Sequence, residues 1–180
     1  MKLVFSPKNI SNVDPLQKYI KLLKEKNYNN LITKHFDNKF LHIHRRLTNC
    51  NDNILSGVCR PFVHKMFVDV RGNINLCENF KYGTNFGSVC EEFSVDSVDK
   101  LLNVYENERS KTCSNCWASK ICSLCFRDII DRNGTVNQQR AKTLCNNERA
   151  VKIQTLTEYC TVLEHDSSLL NHLDNYILHT

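Results

Sequence analysis

Four cysteines fall in the order Cys113-x2-Cys116-x5-Cys122-x2-Cys125, with Cys145 downstream and Cys59, Gly72 and Cys77 upstream. Thiolates two residues apart can face one soft tetrahedral centre, and four of them suit zinc or iron with sulfide. A zinc ribbon or finger separates its ligand pairs by a dozen or more residues, so that a hairpin or helix forms between them. Here five residues separate Cys116 from Cys122. That connection is short for zinc but suits a cluster, whose larger body is gripped from several sides. The tighter ferredoxin run with its trailing proline is not present.

The chain holds ten cysteines in 180 residues, and residues 1–7 show neither the apolar core nor the cleavage site of a signal peptide. Reduced, cytoplasmic thiols available to metal are therefore expected, rather than a disulfide scaffold. The formal charge of +5 is scattered: Lys18, Lys21, Lys24 and Lys26 lie on an early helix, and Arg45, Arg46, Lys65 and Lys120 elsewhere. Such scatter reads as a solvated face and gives no reason to infer nucleic-acid binding. No apolar run is long enough to cross a membrane. Hydrophobic residues at 41% permit a folded core. Neither a Gly-rich phosphate loop, nor a Ser/His/Asp signature, nor a suggestive carboxylate pair is found, so no catalytic residue is assigned.

The elements that must position the cysteines are readable in outline. Residues 2–5 form a short apolar run that reads as a strand, and Asp14-Pro15 supplies an N-cap and a first-turn proline for a helix carrying Tyr19, Leu22 and Leu23. The stretch Phe40-Leu41-His42-Ile43-His44 reads as a second strand. On it His42 and His44 share a face, with no third ligand to make them a metal site. From Phe62 to Val70 the pattern predicts a strand that turns at Arg71-Gly72-Asn73 and returns through Ile74-Asn75-Leu76, delivering Cys77 at the end of a hairpin. Val98, Leu101, Leu102 and Tyr105 predict a helix over Ser97–Glu108 that leads into Cys113. Beyond Cys145, the spacing of Val151, Ile153, Leu156, Tyr159, Cys160 and Leu163 predicts a long amphipathic helix with Cys160 on its apolar face, followed by a shorter one over Leu169–Leu178. Trp117 reads as a lid over a metal site or as a core anchor. No internal repeat stands out.

The order Cys59, Gly72 with four residues between it and Cys77, Cys113-x2-Cys116-x5-Cys122-x2-Cys125 and Cys145 resembles the SPASM domain over about residues 50–150. This domain is the C-terminal extension of many radical S-adenosylmethionine enzymes that modify ribosomally made peptides. The family pattern usually has three residues between its third and fourth clustered cysteines, where this chain has two. The resemblance implies two auxiliary [4Fe-4S] clusters with interleaved ligands: Cys59, Cys77 and Cys125 for the first, and Cys113, Cys116, Cys122 and Cys145 for the second. It leaves three options for the first cluster's remaining position: Cys50, Cys90, or an open iron that meets substrate. For Cys50 and Cys90 an ordinary thiol is the competing reading.

The radical-generating Cys-x3-Cys-x2-Cys triplet of that superfamily does not occur among the ten cysteines. The chain is therefore expected to have no S-adenosylmethionine site of its own. Its expected partners are a precursor peptide and a radical core domain, in the same longer chain or on another subunit, with no nucleic acid or membrane. The expected fold is α+β: a small hairpin, helices and cysteine-rich loops around two clusters over 50–150, preceded over 1–49 by a lead-in or the end of an α/β barrel, and followed over 151–180 by C-terminal helices. The competing function is a non-enzymatic zinc-binding interaction module.

Overall fold

The computed structural model describes residues 14–48, 62, 65–80, 86–131 and 133–176. In chain order these form helices α1 (Pro15–Lys24) and α2 (Leu31–Thr48), strands β1 (Phe67–Val68) and β2 (Ile74–Asn75), helices α3 (Val95–Thr112), α4 (Phe126–Ile129) and α5 (Gln138–His165), and a 3-10 helix, Ser167–Tyr176. The fold is α+β, with one two-stranded antiparallel sheet among the described residues. No described helix is long and apolar enough to cross a membrane. Contacts divide the chain into two units, Met1–Asn49 with Thr155–Thr180, and Cys50–Gln154.

The first unit starts as its sequence suggests: Pro15 opens α1, and the Asp14 carboxylate caps it by accepting from Leu16 N at 3.1 Å. The expected strand at Phe40–His44 is instead part of α2. In isolation those five residues alternate, but Ile32, Phe36, Phe40 and Ile43 repeat at helical spacing, and Asn30 Oδ1 accepts from Ile32 N at 2.9 Å to cap the helix. Phe36, Phe40 and Ile43 are buried against Tyr19, Ile20 and Leu23 of α1, Tyr159 and Val162 of α5, and Leu170 and Leu173 of the 3-10 helix. An α/β lead-in is therefore not what residues 15–48 form; the strand expected at 2–5 lies outside the described residues.

On a helix, residues two apart point in nearly opposite directions, so His42 and His44 do not share a face. His44 is buried, with Nδ1 2.8 Å from Tyr159 Oη and Nε2 donating to Asp174 Oδ1 at 2.9 Å. Nor is Arg45 simply solvated, because it donates to the Tyr176 carbonyl at 2.7 Å. Cys160 is exposed instead of buried: Tyr159 and Val162 take the core positions, and Cys160 lies about 100°, just over a quarter turn, past the first of them. A buried polar group completes this unit. Asp37 Oδ1 accepts from Tyr19 Oη at 2.8 Å and from His172 Nε2 at 2.9 Å.

In the second unit the strands are shorter than expected, pairing Phe67 with Asn75 and Val68 with Ile74. Two residues per strand cannot sustain a hairpin alone. A core of Leu76, Phe80, Phe86, Val98, Leu101, Tyr105, Phe126, Ile129 and Ile130 holds it. Gly72 turns the hairpin at φ +83°, and a Cβ there would lie 2.9 Å from Val89 Cγ2. Val89 is close because the chain after the hairpin folds back, with Val89 N donating to Gly72 O and Ile74 N to Gly87 O, both at 2.9 Å.

A short repeat, not noticed in the sequence, emerges here. Asp69-Val-Arg-Gly-Asn73 and Asp131-Arg-Asn-Gly-Thr135 close with the same five bonds. In the first, the Asp69 carboxylate accepts from Arg71 N at 2.8 Å, Asn73 N at 2.9 Å and Asn73 Nδ2 at 2.9 Å. In the second, the Asp131 carboxylate accepts from Asn133 N at 2.9 Å, Thr135 N at 3.1 Å and Thr135 Oγ1 at 2.9 Å. Backbone bonds Asp69 N to Asn73 O and Asp131 N to Thr135 O, with the returning Gly72 N and Gly134 N bonds, complete each turn. Both glycines have positive φ. In each copy an isoleucine or valine and then an asparagine follow the turn, Ile74-Asn75 and Val136-Asn137.

Candidate metal centre

Helix α3 extends further than its apolar spacing predicts, from a Ser94 cap to Thr112, and delivers Cys113 at its C-terminus, where Cys113 N donates to Arg109 O at 2.7 Å. The chain then advances by successive tight turns: Cys116 N to Cys113 O at 3.1 Å, Ser119 N to Cys116 O at 3.0 Å, and Ile121 N to Ala118 O at 3.0 Å. Ala118 and Ile121 are buried and pin this loop inward. Trp117 is 52% exposed. It is neither the core anchor nor among the residues lining the cavity below; Ala118 has the inward position.

The result is a cavity of about 70 Å³ lined by Cys113, Cys116, Cys122 and Cys145. These are the four residues expected to hold the second cluster. Cys145 reaches it from α5, not from a loop, one turn beyond Ala141 and one turn before Arg149. Two ties hold the Cys122–Cys125 segment in place. Glu148 of α5 accepts from Ser123 N at 2.7 Å and from Ser123 Oγ at 2.5 Å, while Lys152 lies 3.3 Å from both Glu148 Oε1 and Ser123 Oγ. Tyr105 Oη of α3 donates to Leu124 O at 3.1 Å.

Burial pushes the Cys122 thiol up, and the charges of Glu148, Cys113 and Cys145 add to this against a backbone N–H that favours the thiolate. Cys145 is raised for the same first reason, with Cys113 and Cys116 contributing. Thiols this close resist ionising together, and a cation among them reverses that preference. Burial works against the Glu148 charge too, yet the Ser123 bonds and Lys152 hold its carboxyl below the usual range.

Cys77 is buried in the core of this unit, and Cys125 packs against the same core from the start of α4, where Cys125 N donates to Asp128 Oδ2 at 3.1 Å. Cys50 and Cys59 lie outside the described residues. The fold-back that follows Gly87 does occur, but the Cys90 side chain at its end is exposed. No disulfide joins the described cysteines. Among the described residues, no three Cys, His, Asp or Glu side chains converge at single-ion distance. The four thiols around the cavity border a volume, not a point.

Arg109, Glu148, Arg149 and Lys152 were not singled out from the sequence. Their signal was spacing: Tyr105, Arg109 and Cys113 repeat every four residues on α3, as do Ala141, Cys145 and Arg149 on α5, so each cysteine shares a stripe with an arginine. Comparison with protein-family models, with curated proteins and with solved structures finds no match.

Proposed function

We propose that residues 50–150 form an iron–sulfur domain of the SPASM type that supports a radical S-adenosylmethionine peptide maturase, with the radical core in the same longer chain or on a partner. The observation that carries this reading is the single cavity lined by Cys113, Cys116, Cys122 and Cys145. Residues from three separate stretches of sequence meet there, in the grouping that the family pattern assigns to one cluster. The donor set fits the group: four thiols border one cavity, burial raises two of them, Cys122 and Cys145, and guanidinium groups lie beside them. Cys77 and Cys125, packed on one core, would serve the first cluster with Cys59.

Bound clusters would supply one-electron transfer and, at an open iron, a place for a substrate thiol. The chain's own part is to fix the thiols, exclude water and present a surface to a precursor peptide. Anaerobic purification followed by iron, sulfide and zinc analysis tests this. Iron and sulfide in equal amounts, with a brown colour, are expected; a colourless protein holding stoichiometric zinc would overturn the proposal in favour of a zinc interaction module.

A further inference from the structure

Two arginines share the cavity with the four thiols. Arg109 is largely withdrawn from water, its side chain 10% exposed, and its guanidinium lies over the Tyr105 ring at 5.5 Å. Among the described residues it pairs with Glu106 at 3.6 Å, which is itself half exposed. Arg149 lines the same cavity and donates a side-chain N–H to Asn146 Oδ1 at 3.0 Å. The two carboxylates that also line the cavity are engaged elsewhere: Glu148 with Ser123 and Lys152, and Glu108 with Gln138 Nε2 at 2.9 Å. A largely buried cation whose salt-bridge partner is half exposed gains from further negative charge beside it, and the thiol cavity is where such charge would sit.

We infer that Arg109 and Arg149, which line the cavity with the four thiols, set the reduction potential of the cluster that Cys113, Cys116, Cys122 and Cys145 would hold, raising it by balancing its negative charge. The inference rests on the reading above. A cluster there that took one electron from an external low-potential donor would gain one negative charge with no bond broken, and two guanidiniums beside it would stabilise that product more than the oxidised form. Neither arginine is a ligand, so both act through charge and position. Arg109 would exert its effect by charge in a dry wall, and Arg149 by charge nearer the surface.

The test is a dithionite titration of the full chain followed by electron paramagnetic resonance, with iron and sulfide assayed on each sample. In Arg149→Gln and Arg109→Gln the iron content should hold while one of the two reduction waves moves to lower potential. The expected shift is about tenfold in the reduction equilibrium, which is about 59 mV for one electron. Arg149→Lys and Arg109→Lys, which keep the charge, should move it less. Unchanged waves at full iron content would overturn the inference alone, as would Lys variants that shift as far as the Gln variants. Absence of iron and sulfide from the unaltered protein would overturn the function proposal itself. Should a Gln variant lose iron, its Lys counterpart decides: an unshifted wave agrees with the inference, and a wave shifted as far as the other site's Gln variant contradicts it.

Discussion

Single side chains already separate cavity-lining cysteines from exposed ones. Cys113 and Cys145 line the cavity, while Cys90 and Cys160 are exposed. Alanine at Cys113 or Cys145 should remove about one cluster's iron, whereas alanine at Cys160 should remove none; equal losses at all three, measured by iron assay, would contradict the assignment. Glu148 fixes the Cys122 segment without touching a metal. Glu148→Ala should cost about 2 kcal/mol of stability, because Ser123 N–H and Lys152 lose a charged acceptor. Since its carboxyl is held below the usual range when folded, Glu148 contributes stability above the unfolded carboxylate pKa and loses it as pH falls through the lower folded value. Urea midpoints measured across that acidic window should converge for the parent and Glu148→Ala. That Cys113, Cys116, Cys122 and Cys145 would share one site was legible in the sequence through their match to the SPASM pattern. The arginines and Glu148 were not legible there, because their meaning depends on α3 and α5 facing one cavity.

At the scale of elements, legibility followed the length over which the pattern repeats. The cap and proline at Asp14-Pro15 gave α1 its start directly, and the hairpin turn followed from Arg71-Gly72-Asn73. Phe40–His44 misled because five residues carry too little phase: alternation and helical repetition look alike until Ile32 and Phe36 are counted. Cys160 failed for a related reason, since a small residue beside Tyr159 sits at the margin of the apolar stripe and nothing in its type decides the side. Glycines supply the element-level test. Gly87 has φ +121° and a Cβ there would lie 2.7 Å from the Glu92 carbonyl, whereas the obstacle at Gly72 is a side-chain methyl. Both alanine variants pay the left-handed backbone cost of roughly 1–2 kcal/mol, but only Gly87→Ala also displaces backbone. Its thermal midpoint should therefore be the lower of the two; the reverse order would contradict the fold-back geometry.

For the whole molecule, the two units draw on different sources of stability. The first has an aromatic core, with Tyr19 stacked on Phe36 at 4.8 Å and Phe40 edge-on to Tyr159 at 5.6 Å. Asp37→Ala there would strand the Tyr19 hydroxyl and His172, at a cost of about 2–3 kcal/mol measurable by urea denaturation. The second has a smaller share of regular structure around its thiols, and on the proposed reading metal binding would couple to its folding. Stripping metal by a chelator under reducing conditions should raise amide exchange in residues 113–125 while α1 and α2 keep their protection. Equal deprotection of both would contradict a local structural role for the metal.

The twin aspartate turns bear on the order of events during folding. Each closes all its bonds within five residues, so loop closure costs little and the turns can form before distant contacts or any metal. One turn stands four residues ahead of Cys77 and the other six residues past Cys125, so early closure would set the phase of both chain segments while their thiols are still unligated. Pulse-labelled exchange on the metal-free chain should then find Asn73 and Thr135 amides protected ahead of those in α3. Assembly would begin as a clamp whose jaws are aligned before there is anything to grip.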